Sequence, residues 1–113
     1  MAERVQHTLT PWVDDESRVL VLGTMPSPKS RARMMYYGHP QNRFWRTLAA
    51  LWQEEVPTTP EAAHDFARRH HIALWDVLAA CDIEGAADST IADAVPNDVA
   101  GLLARYPHIT TVV

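Results

Sequence analysis

The sequence predicts an α/β fold, a three-layer α/β/α sandwich around a central, mainly parallel sheet. Two observations predict it. Three short apolar runs rich in β-branched residues, Val19 to Leu22, Ile72 to Val77 and Ile109 to Val113, read as buried strands. Between them lie stretches whose apolar residues recur at helical spacing, so strands and helices alternate as in parallel βα units.

The elements follow in order. Gly23 stops the first strand, and Thr24 to Ser30, with its prolines and serines, reads as a loop. Phe44 to Trp52 is an amphipathic helix: Phe44, Leu48, Leu51 and Trp52 share a face, and Asn42 sits where an N-cap belongs. Thr59-Pro60 opens a second helix in the cap-then-proline pattern, running through Phe66 to about His70. Asp76 lies near the carboxyl end of the second strand, and Asp82 to Ser89 reads as a polar loop around Gly85. Asn97 is placed to cap a third helix, Asp98 to Arg105, which Pro107 follows. In such sheets function gathers in the loops after the carboxyl ends of the strands. Here those are Thr24 to Asn42 and Asp76 to Ser89. A sheet ending on Val113 leaves apolar surface uncovered, so the chain is expected to lack its last strand or strands and a helix.

A chain of 113 residues with 47% apolar and 21% charged residues is a single ordinary globular domain, residues 1–113. No segment is apolar for long enough to span a membrane, and Met1 to Thr10 carries no secretory apolar region. Cys81 is the sole cysteine, which excludes an intramolecular disulfide and fits a cytoplasmic setting, a bacterial cytosol or nucleoid. One cysteine and scattered histidines make no zinc site. The net charge of −4 argues against a non-specific coat on DNA. Basic residues nevertheless cluster at Lys29, Arg31, Arg33, Arg43 and Arg46, apart from the acidic Asp14 to Glu16, Glu54 and Glu55. Charge alone reads as a solvated surface.

Two clusters carry chemistry. Gly23-Thr24-Met25-Pro26-Ser27-Pro28-Lys29-Ser30 directly follows a strand, and its hydroxyls and turn amides suit a phosphate. It is no P-loop, and by itself reads as a proline-rich turn. Tyr36-Tyr37-Gly38-His39-Pro40-Gln41-Asn42-Arg43-Phe44-Trp45 sets aromatic rings beside amides, a histidine and an arginine. A pocket for a flipped nucleobase needs such rings for stacking and such tips for hydrogen bonds. Phe44 and Trp45 are assigned to the core.

Together these residues resemble the first motif region of the uracil-DNA glycosylase superfamily. Pro40-Gln41-Asn42-Arg43-Phe44-Trp45 is similar to an element of its mismatch-specific uracil and thymine members. The full Tyr36-to-Asn42 run resembles the deoxyinosine (hypoxanthine) glycosylases. Ile72-Ala73-Leu74-Trp75-Asp76-Val77, Asp88-Ser89 with Ile91, and Pro96-Asn97-Asp98 resemble that family too, so the likeness runs from about Arg18 to Val113. It implies a monofunctional glycosylase that hydrolyses the N-glycosidic bond of a damaged deoxynucleotide as a monomer, with damaged DNA its partner and no cofactor. Mismatch-specific members carry a catalytic asparagine two residues after the first-motif glycine. That position here is Met25, so the resemblance places catalysis on Asn42. It implies a stacking ring at Tyr37; Asp76, Tyr36, His39 and Met25 are the further candidates for base contact, with Tyr36 equally a packed neighbour and His39 equally a turn residue, and Ser27, Ser30, Ser89 and Arg43 are the candidate phosphate contacts. Uracil-specific members read the base edge with an asparagine where this chain has Asp76. A carboxylate only accepts, which suits the N1–H donor of hypoxanthine. An Asp76 tied to loop amides is the structural alternative. The resemblance also implies a further motif after the next strand, a loop entering the DNA minor groove, which lies beyond Val113. A mismatch-type glycosylase and a non-catalytic DNA-binding fragment are the competing readings.

Overall fold

The computed structural model describes residues 3–7, 9–39, 41–83 and 92–113. Its elements follow in the order β1 (Glu3–Gln6), β2 (Val19–Gly23), α1 (Pro28–Arg33), α2 (Phe44–Trp52), α3 (Pro60–Arg69), β3 (Ile72–Asp76), β4 (Leu78–Ile83), β5 (Ala92–Pro96), α4 (Val99–Arg105) and β6 (Thr111–Val112).

The three apolar runs form one parallel sheet in the order β3-β2-β6, with Val19 paired to Ile72 and Gly23 to Asp76. Alternation along the strands sorts side chains to the two faces. Val21, Ile72 and Leu74 pack with Trp45 and Ala49 of α2 and with Ala63, Phe66 and Ala67 of α3. Leu20, Leu22 and Ala73 pack instead with Val99, Leu102 and Leu103 of α4. Helices on both faces of a parallel sheet make the three-layer α/β/α sandwich expected. Burying a side chain such as Phe66 or Leu74 stabilises the fold by ~1.5–3 kcal/mol.

A second sheet has no counterpart in the sequence reading. Strands β1, β4 and β5 pair antiparallel in the order β1-β4-β5, and only Val77 separates β3 from β4. Leu78 to Ile83 is therefore strand, where a functional loop was expected. Its alanines and Cys81 carry little intrinsic β-propensity, and pairing on both edges decides the matter. Edge strands β1 and β5 are short, β1 is mostly polar, and β5 ends on Pro96, which an edge tolerates.

Local corrections have equally local causes. Pro28 to Ser30 opens α1, because Ser27 caps it: its Oγ accepts from the Ser30 N–H at 3.2 Å. Asp98, not Asn97, caps α4 by accepting from the Gly101 N–H at 2.9 Å. In α2 the buried residues are Trp45 and Ala49, and Leu51 is 70% exposed. The Trp45 indole sets that rotation by donating to the Tyr36 carbonyl at 2.8 Å.

Candidate active site

Parallel strands β2 and β3 end side by side at Gly23 and Asp76, the N–H groups of Val77 and Leu78 still donating to the carbonyls of Gly23 and Thr24 at 2.9 and 3.1 Å, and residues of the first loop gather beside those ends. The crevice so formed is a cavity of about 190 Å³. That is small beside the ~300–1,000 Å³ of drug-sized sites and suits a single ring system. Met25, Ser27, Ser30, Tyr36, Tyr37, Asn42 and Asp76 all line it, with Gly23 at its floor. Residues spread over the whole first loop and the end of β3 thus meet at one place.

Asp76 is the buried charge of the site, 5% exposed. Its Oδ2 lies 2.7 Å from Nε2 of His7, whose side chain is 3% exposed. An ionised carboxylate only accepts, so the imidazole donates here. Its Oδ1 lies over Gly23, so close that a Cβ on residue 23 would stand 2.3 Å from it. The same point is 3.6 Å from the Tyr37 hydroxyl, so carboxylate and phenol converge above the glycine. Asn97 secures the turn below: its Nδ2 donates to the carbonyls of Asp76 (2.9 Å) and Leu78 (3.2 Å). Sequence reasoning missed both His7 and Asn97. His7 lies in a polar segment read as featureless, and Asn97 was read as a cap.

Tyr37 is held in the left-handed region at φ 54°. For a bulky side chain that conformation is strained and persists only when its surroundings enforce it. Enforcement comes from Phe44, whose ring stacks on Tyr37 at 4.0 Å and 17°. One face of the phenol is therefore backed, and the half-buried ring lines the cavity. Burial first, and the negative Asp76 second, push the Tyr37 phenol up to about 12, so it stays a donor throughout the neutral range. Tyr36 borders the cavity but belongs to the core: it is 2% exposed, donates to the Thr10 carbonyl at 2.9 Å and meets Trp12 edge-on. Burial, then Asp76, raises its phenol well above the ordinary value. Of the two rings, Tyr37 is the one with a half-buried face on the cavity.

Asn42 stands exposed on the rim. Residue Arg43 intervenes before α2, yet the Asn42 Oδ1 accepts from the Phe44 N–H at 2.8 Å. That bond uses one carbonyl lone pair and fixes the amide plane. Ser27 and Ser30 serve the loop: Ser27 Oγ donates to Ser30 Oγ at 3.0 Å, and the buried Ser30 Oγ also accepts from the Gly38 N–H at 2.9 Å. Met25 packs on Leu78 and Cys81 along one wall. His39 borders an adjoining hollow instead, and its Nδ1 accepts from the Gln41 N–H at 3.1 Å, a turn contact. Arg43 is exposed at the helix start, outside the cavity lining. Ser89, with Pro40 and Ile91, lies outside the described residues. Two arginines of the basic cluster are tied to backbone: Arg31 donates to the Pro26 carbonyl at 2.9 Å, and Arg33 to those of Gly38 (2.6 Å) and Thr58 (2.7 Å).

No family model matches the chain. Among curated proteins it is 34% identical over 101 residues to a hypoxanthine DNA glycosylase of Methanosarcina acetivorans, covering 88% of this chain and 64% of that protein. It is 33% identical over 104 residues to the hypoxanthine DNA glycosylase of Methanosarcina barkeri, covering 91% and 66%. The chain thus spans just under two thirds of the length of the curated relatives it matches. A solution NMR structure from Methanosarcina acetivorans, named provisionally as a uracil DNA glycosylase, superposes with a TM-score of 0.82 at 31% identity, over 97% of this chain and 68% of that one. Likeness of sequence and fold over that extent is homology: the chain belongs to the uracil-DNA glycosylase superfamily and within it is similar to hypoxanthine DNA glycosylases.

Proposed function

We propose that the protein is a monofunctional DNA glycosylase. It takes a deaminated base, hypoxanthine foremost, out of the DNA stack and hydrolyses its N-glycosidic bond, acting as a monomer. One observation carries the reading: a backed phenol, a buried carboxylate and a rim amide converge on a single base-sized cavity at the ends of two parallel strands. A flipped purine stacks on the free face of Tyr37. Asp76 accepts from its N1–H through Oδ1. Bond cleavage gives the sugar oxocarbenium character while the electron pair of the glycosidic bond leaves with the base. Water adds to C1′ and loses its proton to solvent. Asn42 has no usable basicity, so its part is to hold that water and to complement the developing charge. Of the phosphate candidates, Arg43 and Ser89 retain that role in this reading, and Ser27 and Ser30 shape the loop.

The test is a cleavage series on oligonucleotides carrying hypoxanthine, uracil, xanthine or a thymine mismatch. Hypoxanthine should be released fastest. Preferential release of mismatched thymine or uracil would move the protein to the mismatch-specific branch.

Excision should persist at undiminished rate in excess EDTA, because an amide, a phenol and a carboxylate can place water and base without a Lewis acid. Loss on chelation with recovery on adding zinc would contradict the mechanism.

The floor of the cavity allows a sharper check. A methyl group at residue 23 must push the Asp76 carboxylate out of place. Gly23→Ala should slow hypoxanthine release by about a hundredfold, the usual cost of an ångström-scale misplacement. Rates equal to wild type would mean that the position of Asp76 is immaterial.

A further inference from the structure

We infer that His7 and Asp76 act as one unit that reads whether the ring nitrogen of a base carries a proton or a lone pair. The unit would admit deaminated bases as a class and refuse adenine and cytosine. The inference rests on the glycosylase reading above and names its substrate class.

Deamination changes the hydrogen-bonding edge of both bases in the same way. Adenine presents a lone pair at N1, and replacing its 6-amino group by an oxo group places a proton there. Cytosine presents a lone pair at N3, and uracil presents N3–H. Amino and oxo groups are close in size, so the shape of the cavity discriminates poorly between damaged and undamaged bases. An oxygen that can only accept discriminates well: it bonds the N–H of the damaged base and faces the lone pair of the intact one. Leaving such a buried acceptor unpaired is costly.

His7 makes Asp76 that kind of oxygen. Just beyond β1, the His7 N–H donates to the Ala79 carbonyl at 2.7 Å, which fixes the residue beside the β3–β4 junction. Its Nε2 occupies Asp76 Oδ2 at 2.7 Å, with both side chains almost wholly buried (3% and 7% exposed). Oδ1 is then the carboxylate oxygen left to face the cavity, held over Gly23. Without the imidazole, Oδ2 loses the donor that fixes it, and the short side chain is free to turn. Oδ1 is then no longer held as a fixed acceptor toward the cavity, so the preference for an N–H over a lone pair falls. His7 is therefore a positioning residue whose effect reaches the substrate through Asp76.

The experiment measures release of hypoxanthine, uracil, adenine, cytosine and 1-methylhypoxanthine from otherwise identical oligonucleotides. It compares the wild-type protein with His7→Phe and His7→Gln. Wild type should favour hypoxanthine over adenine by about 10⁴-fold, and should also refuse 1-methylhypoxanthine, which keeps the oxo group but has no N1–H. His7→Phe keeps a ring of similar size and should lower the hypoxanthine-to-adenine ratio by about tenfold or more. His7→Gln returns a neutral donor near the place of Nε2 and should restore the ratio to within about threefold. A mere packing role would slow every substrate alike and leave the ratio unchanged, which would overturn the inference. So would equal release of hypoxanthine and 1-methylhypoxanthine by wild type, a measurement that stands even if His7→Phe does not fold. A wild-type protein that releases none of the deaminated bases would instead overturn the glycosylase reading itself.

Discussion

Asn42→Ala is expected to abolish base excision, by about 10³-fold or more, while DNA affinity stays within a few fold. A group that places water acts chiefly in the transition state, so the rate suffers more than ground-state binding. The geometry adds a complication: Asn42 Oδ1 also holds the Phe44 N–H at the start of α2. Losing such a cap costs ~1 kcal/mol and would lower the melting temperature by itself. Asn42→Ser separates the two effects, because a serine hydroxyl caps a helix but cannot reproduce the planar amide. If the serine variant keeps wild-type excision, the residue is a cap and the proposed mechanism fails. If it melts like wild type yet releases no base, the amide is the group that matters.

The second large effect is expected at Asp76. Asp76→Asn keeps the shape, removes the charge and adds a donor. Hypoxanthine release should fall by about tenfold to a hundredfold, the range for losing a charge-assisted hydrogen bond of ~1.5–3 kcal/mol. Uracil should lose less, because the amide can turn to present either oxygen or nitrogen to a base edge flanked by carbonyl groups. The hypoxanthine-to-uracil ratio therefore moves toward uracil. Suppose both rates fall equally and the protein melts at a markedly lower temperature. Then Asp76 serves to bind β1 to the end of β3 through His7, and another group reads the base.

The parallel sheet was legible because its strands announce themselves: Val19 to Leu22 and Ile72 to Trp75 are apolar on consecutive residues, as strands covered on both faces must be. The cavity was legible because Tyr37 and Asn42 lie in the loop after β2 and Asp76 at the carboxyl end of β3, positions that follow from that sheet. The antiparallel sheet was not. Polar Glu3–Gln6 and small-residue Leu78–Ile83 acquire strand geometry from pairing partners far away in sequence, and no local pattern records such a partner. His7 is hidden for the same reason, since 69 residues separate it from the carboxylate it touches. At Asn97 the residue type was suggestive but the bonding choice is tertiary: it braces the turn after Asp76 instead of starting a helix, whereas the bond by which Ser27 caps α1 spans only three residues.

On the proposed reading, strand β1 leaves the selectivity of this pocket open to change from outside it. The imidazole that steadies Asp76 is delivered by an edge strand at the front of the chain, joined to its neighbour by a single register of pairing from Glu3↔Ile83 to Gln6↔Ala80. A two-residue slip of that strand keeps side chains on the same face and yet carries the histidine away from the carboxylate. If the role proposed for Asp76 holds, homologues with identical pocket loops would differ in the base they release according to what this strand places at the seam, and β1 would be as informative a guide to that choice as the motif around the cavity.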